Sequence, residues 1–379
     1  MTMVYLDSAA TSKPYPEALE EFSKVSLDSF GNPSSLHRFG YASKKLLEDS
    51  RAKVLSLLGL SSTHQCIFLS CASEANSMAI KSIAWQYASR GKKMLTSSVE
   101  HPSVSNAFLQ CQSLFHFEPV FMKVNPAGYV SPETLQENLD KNTILTSLME
   151  VNNETGAIFP IEEYASILKN YPKCLFHVDA TQGIGKTDCD YSKADLISFS
   201  AHKIGGIKGS GALLYRKSLR FAPLISGGEQ EFGYRAGTVS VAAAVALSKA
   251  LEVTLSRKRQ SWEHVSSLCE ALEKGLLQTG EVTLNSPAGH SPYVCNFSLL
   301  HHKASVVVEA LSERGIYVSS VSACSSKGEP ISHVLLAMGK SQREAANSIR
   351  VSFSPDSTLE DVNAFLSALS SILSEVKPL

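Results

Sequence analysis

No apolar run in the sequence is long enough to cross a bilayer. The longest, around residues 240–247, falls well short of the ~20 residues a helical span needs. Between Met1 and Asp7 there is no basic segment followed by an apolar one, so the start does not read as a secretion signal and the chain is expected in the cytoplasm. Nor is one sign of charge in excess. Thirty-five Lys and Arg against 36 Asp and Glu leave a net charge of −1, without the basic field of a nucleic-acid binder or an acidic tail. Neither a membrane nor a nucleic acid is expected as a partner. Eight cysteines, at positions 66, 71, 111, 174, 189, 269, 295 and 324, contain no paired C-x-x-C, which argues against both a disulfide framework and a zinc site. Most should be reduced and buried, acting as small hydrophobes. The glycine-rich turn 205–211 could bring backbone close to a ligand, but it does not fit G-x-x-x-x-G-K-[ST] and excludes an NTPase loop.

What is present is an ordinary globular balance, 44% hydrophobic and 19% charged over 379 residues. That length exceeds what one core serves, so a large domain plus a smaller one is expected. Short β-rich runs at 66–70, 93–96, 144–151, 174–179, 196–200 and 211–215 alternate with helical patterns at 74–89, 132–139 and 161–169. The fold class this predicts is α/β. Runs apolar at consecutive positions suggest a mostly parallel sheet covered by helices on both faces, with ligands at the carboxyl ends of its strands. Residues 241–279 hold no proline and read as one long helix or two joined ones, suited to connect domains. Beyond Gly280, strands at 293–299, 316–319 and 349–353 and helices at 304–314 and 358–376 suggest a compact α+β module. The expected units are 1–31, packing with the small domain, a large domain over 32–255, and a small domain over 256–379.

Several side chains could do chemistry. Asp179 and Lys203 each stand where a strand gives out. A carboxylate at one strand end and a lysine at another is what a pyridoxal phosphate site needs: the amine bonds the aldehyde, and the acid keeps the ring nitrogen protonated. The segment from Ser70 to Asn76 ends a strand and begins a helix, so first-turn N–H groups and the Ser73 hydroxyl could hold an anion. His101 could lie over a cofactor ring and move protons. Asn153 could offer an amide to a cofactor oxygen, although turn chemistry also explains Asn-Asn before Gly. Cys324 sits in a small, polar stretch, where an accessible thiol can act as a nucleophile. Arg350 could clamp a carboxylate in two-point fashion. Taken singly, each of these residues also has an ordinary structural reading.

In order along the chain stand YLDSAAT (5–11), GNPSSLHRFG (31–40), SCASEAN (70–76), EHPSV (100–104), NNETG (152–156), HVDATQ (177–182), SFSAHK (198–203), RAGT (235–238), SACSS (322–326), SHVL (332–335) and SIRVS (348–352). In these motifs the sequence resembles the cysteine desulfurases of the NifS/IscS type, in the class V branch of fold-type I pyridoxal phosphate enzymes. The resemblance implies a homodimer that takes L-cysteine, releases alanine, and passes sulfur to an iron–sulfur scaffold or another acceptor protein. It implies Lys203 as the Schiff-base lysine and Asp179 as the partner of the pyridine nitrogen. His101 would stack on the ring, with Asn153 and Gln182 near its hydroxyl. Ala72, Ser73, Ser200 and His202 would hold the phosphate, and Thr238 would reach the phosphate of the neighbouring subunit. Arg350 would take the substrate carboxylate, with Asn32 and Arg235 nearby, and Cys324 would become the persulfide.

The sequence departs from the family at Ser8 (usually Asn), at Cys71-Ala72-Ser73 (usually Gly-Ala-Thr) and at Ala236 (usually Ser), and none of these removes a catalytic group. Val321 stands where glycine usually precedes Ser-Ala-Cys. A β-branched residue there stiffens the loop base, and altered loop mobility with slower sulfur transfer is expected. A selenocysteine lyase, an aminotransferase of the same class, or a catalytically silent scaffold are the alternatives.

Overall fold

The computed structural model describes residues 3–320 and 331–378; Val321 and Cys324 lie outside the described residues. The large sheet has seven strands in the order His64–Leu69, Gly211–Arg216, Leu196–Ser200, Leu175–Asp179, Thr143–Met149, Lys93–Ser97 and Glu118–Met122. Every pairing is parallel except those of Gly211–Arg216, which runs antiparallel to both neighbours. Alternate side chains leave opposite faces. On one face Cys66, Phe68, Phe176, Val178, Ile197 and Phe199 join a core with the helices Arg38–Leu57 and Ile161–Leu168 and the first part of Val241–Thr279. On the other, Ile67, Leu69, Leu175 and Leu196 pack under Ala72–Gln86 and Pro102–Phe115. Burial on both faces is why these strands are apolar at consecutive positions.

Val241–Thr279 is a single helix. Its Ser240 cap accepts from the Ala243 N–H, and Gly280 ends it in the left-handed region at φ 70°. Leu247 and Leu251 belong to the large-sheet core, whereas Val265, Leu268, Leu272 and Leu276 belong to a second core, so one helix is anchored in both. The second core lies against a four-stranded antiparallel sheet, Ser319–Ser320, Ser348–Ser352, Val294–Leu299 and Val282–Leu284.

The N-terminal residues divide between the two cores. Val4–Tyr5 pairs in parallel with Ile316–Tyr317, and Val4 and Leu6 enter the second core. The helix Pro16–Asp28 instead packs along Val241–Thr279, with Val25 in the large-sheet core and Ala18 beside Tyr15, Ala250 and Val253. The strand expected at 316–319 is two short strands, because the chain changes partners within it: Tyr317 pairs with Tyr5, whereas Ser319 pairs with Arg350.

Candidate active site

The site gathers where the parallel strands end. In the strand Leu175–Asp179, Phe176 and Val178 point into the apolar core, which turns His177 and Asp179 toward the helix Ala72–Gln86. The same alternation in Leu196–Ser200 turns Ser198 and Ser200 that way, and Asp179 sits opposite Ser198 in the register. Polar groups therefore line one sheet face at its carboxyl edge, and each finds a partner. Asn76 of the helix donates to Asp179 Oδ2 at 2.8 Å and accepts from the Ser198 hydroxyl. Asp179 Oδ1 takes the Thr181 N–H at 3.0 Å and the Thr181 hydroxyl. His177 bridges Ser147 at 2.8 Å and Ser198 at 3.0 Å, and burial pushes its imidazole down to about 4, so it stays neutral.

Lys203 lies on a short 3-10 turn directly after Leu196–Ser200. Its Nζ donates to the carbonyls of Ala9 and, at 2.7 Å, Ala10. Burial, with Arg350 and Lys186 as like charges, brings this amine down to about 7 in spite of Asp7 and Asp179. A large fraction is thus unprotonated at neutral pH, the form that attacks a carbonyl. In the glycine-rich turn that follows, Gly205, at φ 70°, packs so closely on the Tyr15 ring that a Cβ would clash with it. It seats the N-terminal segment against the lysine turn, with the Tyr15 N–H donating to the Gly205 carbonyl at 2.8 Å.

The helix Ala72–Gln86 opens without a side-chain cap, and its first N–H, from Ala72, donates to Ser200 Oγ at 2.6 Å. His101 starts the helix Pro102–Phe115, its Nδ1 accepting the Ser103 N–H at 3.1 Å. That bond leaves the proton of the neutral ring on Nε2. Burial, followed by Lys203 and His333, outweighs Asp179 and keeps the ring below its ordinary value. His202 is held down at about 4 by burial and by Lys203, Lys208 and Lys186. Arg350 comes from the strand Ser348–Ser352 of the four-stranded sheet, donating to the Asn153 carbonyl at 2.9 Å and to Asp7 at 3.0 Å, while its Nε is buried with no partner.

Ala72, Ser73, His101, Asn153, Asp179, Gln182, Ser200, His202, Lys203 and Arg350 all line one cavity of about 490 Å³. Three of the residues singled out in the sequence do not. Asn32 is exposed and lines a separate depression with Arg51 and Glu231. Arg235 pairs with Glu74 at 2.9 Å, and Thr238 is exposed on the surface. Asn32 and Arg235 are therefore not beside Arg350 within the chain, a correction to the expected substrate pocket. The reason is that the segment 229–238 runs along the outer strand His64–Leu69, where Glu231 accepts the Phe68 N–H. Cys324 lies outside the described residues. Asn76, Ser103 and Thr181 were missed by the sequence reading; an asparagine inside a helix gives no local signal of the carboxylate it meets.

Comparison with known proteins accords with this geometry. The Aminotransferase class-V family profile matches residues 4–365. The chain belongs to the class V aminotransferase family. Among the relatives of this class V chain, a "NifS/IcsS protein homolog" of Lactobacillus delbrueckii subsp. bulgaricus is 39% identical over 98% of the chain and 97% of its own length. A "Cysteine desulfurase IscS" of Dictyoglomus turgidum is 37% identical over 99% and 95%. A solved "NIFS-LIKE PROTEIN" superposes with a TM-score of 0.92 at 34% identity, covering 99% of this chain and all of the other. "SspA in complex with cysteine" superposes at 0.80 with 30% identity, over 94% of this chain and all of the other. The expected α/β fold and the NifS/IscS resemblance are both borne out.

Proposed function

We propose that this class V chain is a pyridoxal phosphate-dependent cysteine desulfurase: L-cysteine and the Cys324 thiol become L-alanine and a Cys324 persulfide. The observation that carries the reading is that Lys203 and Asp179, each at the carboxyl end of a parallel strand, line one cavity together with Arg350. The donor set suits the cofactor at each of its ends. Ser73, Ser200 and His202 surround an uncapped helix N-terminus suited to a phosphate. Asp179, held by Asn76 and Thr181, is the acid for a protonated ring nitrogen, and Lys203 is the amine for the aldehyde. When bound, the cofactor supplies an electron sink for the substrate's α-carbon.

The chain's own residues supply the rest. Arg350, anchored at the cavity wall by the Asn153 carbonyl and Asp7, takes the substrate carboxylate. Lys203 Nζ takes and returns the α-proton, and His101 holds its Nε2 proton at the cavity wall. The Cys324 thiolate forms a bond to the substrate sulfur as the bond from Cβ to that sulfur breaks. The electron pair left on the substrate side is protonated to give alanine. Thr238, exposed on one chain, fits a homodimer in which it reaches the phosphate in the partner's cavity. The sulfur then passes to an iron–sulfur scaffold or another acceptor protein. Seven described cysteines, all free thiols, suit the reducing cytoplasm; among the described residues no helix is long and apolar enough to cross a membrane.

The test is mass spectrometry after mixing the protein, loaded with pyridoxal phosphate, with L-cysteine. One added sulfur atom on the peptide carrying Cys324, with alanine released in equal amount, is expected. Alanine without that mass gain, or no alanine, overturns the reading.

A further inference from the structure

The second core holds a group of ligating side chains with no part in the chemistry above. Cys269 and Glu273 stand one helical turn apart on Val241–Thr279, so both face the strand Val294–Leu299. From that strand Cys295 projects toward them, and the two sulfurs and a Glu273 oxygen all lie within 4.8 Å of one another. Cys295 is fully buried and Cys269 nearly so, while the Glu273 side chain keeps 30% of its exposure and opens the group to solvent. His290, from the turn before the strand, bonds Glu273 Oε1 through Nε2 at 2.8 Å and the Ser291 carbonyl through Nδ1 at 2.9 Å.

We propose that Cys269, Cys295 and Glu273 bind a divalent zinc-type ion, with His290 orienting the carboxylate. Two sulfurs with a carboxylate select zinc over magnesium or calcium, which prefer all-oxygen shells. Zinc–sulfur bonds of ~2.3 Å in a tetrahedron put ligand sulfurs a little under 4 Å apart, within the spread found here. Binding replaces the thiol protons with the ion, and these leave to solvent past Glu273; no oxidant or reductant is needed. The three ligands come from the helix that links the two cores and from the central strand that pairs with Ser348–Ser352, so the ion would tie the connecting helix to the strand pair bearing Arg350. The absence of C-x-x-C does not bear on such a site, because its ligands are joined by tertiary packing and not by local spacing.

The experiment is native mass spectrometry of the full-length holoenzyme, purified reduced and titrated with zinc chloride. One zinc ion per chain is expected, retained by Cys324→Ser, which separates this site from the proposed persulfide cysteine, and lost by both Cys269→Ser and Cys295→Ser. His290→Gln should weaken binding by about 10–100-fold, the usual cost of removing a group that orients a ligand. Circular dichroism of each variant checks that it folds. Should a serine variant fail to fold, thiol labelling of the wild type decides: zinc must protect Cys269 and Cys295 together. Zinc retained by folded cysteine variants overturns the proposal. So does zinc that leaves both thiols reactive, or a zinc-free chain lighter by two hydrogens from a Cys269–Cys295 disulfide.

Discussion

Asn76 Nδ2 stands 2.8 Å from Asp179 Oδ2 and 2.9 Å from Ser103 Oγ, so one amide joins the acid at the end of a strand to the serine that braces His101. The amide oxygen accepts from Ser198, which in turn bonds His177. Asn76, Asp179, Ser198 and His177 are buried, and removing the amide at their centre leaves several polar groups without partners. Asn76→Ala should lower unfolding stability by about 1–3 kcal/mol and weaken cofactor retention. Urea unfolding and visible absorbance after dialysis measure the two effects. Wild-type values for both would show that Asp179 is held without Asn76.

Lys203 gives a pH signature. Its amine is lowered to about 7, first by burial and then by Arg350 and Lys186. In cofactor-free protein, the rate at which Lys203 is trapped by pyridoxal phosphate and borohydride should rise as pH climbs through about 7 and level off above it. An ordinary lysine would keep rising toward ~10.4. Arg350→Gln removes a positive neighbour and should shift the midpoint upward. A profile still climbing beyond pH ~9, against that reference, is the contrary result.

The sheet and much of the site were legible from local pattern, but what local pattern does not encode was lost. The strand Leu196–Ser200 is an apolar run ended by small polar residues, and the structure gives it the expected bounds. The strand Glu118–Met122 was missed because it lies at the sheet edge, half exposed, with Pro119 inside it. The helices Pro16–Asp28 and Arg38–Leu57 also escaped; their mean hydropathy is low and their apolar faces are set by packing on Val241–Thr279. Asp179 and Lys203 could be read as a pair because each stands where a strand gives out. Asn76, Thr181 and the Cys269–Glu273–Cys295 group depend on contacts between distant parts of the sequence, and Asn32, Arg235 and Thr238 were placed by resemblance alone.

Glu100 ties stability to pH in the opposite sense from most carboxylates. It is fully buried beside the site, accepting from Ser97 at 2.6 Å and from the Met149 N–H at 3.1 Å, with Oε2 unpartnered. Burial, aided by Asp179, raises its carboxyl from 4.5 to about 8. A group whose pKa is raised by folding lends its full stability below its unfolded value and loses it as pH rises through the folded one. Wild-type stability should therefore fall between pH 4.5 and about 8, by a few kcal/mol at most. Glu100→Gln should flatten that part of the curve, as thermal melts across the range would show. Parallel curves for the two proteins would exclude Glu100 as the titrating group.

Glu231 fixes the segment that leads to Arg235 and Thr238. Its carboxylate meets Arg51 in two-point fashion at 2.9 and 3.1 Å and also takes the Phe68 N–H at 2.9 Å. Both side chains are almost wholly buried, and Arg51 lies over the Phe68 and Phe232 rings. Glu231 and Phe232 adopt φ of 48° and 61°, a conformation that non-glycine residues hold only when their surroundings impose it. Removing one partner of such a pair strands the other charge in the interior and costs about 3–5 kcal/mol. Glu231→Gln should lose that much in urea unfolding and make the segment 229–238 more sensitive to proteolysis. Replacing both partners with apolar residues, as in Arg51→Met with Glu231→Leu, should recover much of the stability, because no charge is then left unpaired. It should not restore resistance to proteolysis, since leucine offers no acceptor to the Phe68 N–H. A double variant as unstable as Glu231→Gln alone would mean that the backbone contact, and not the buried charge, sets the cost.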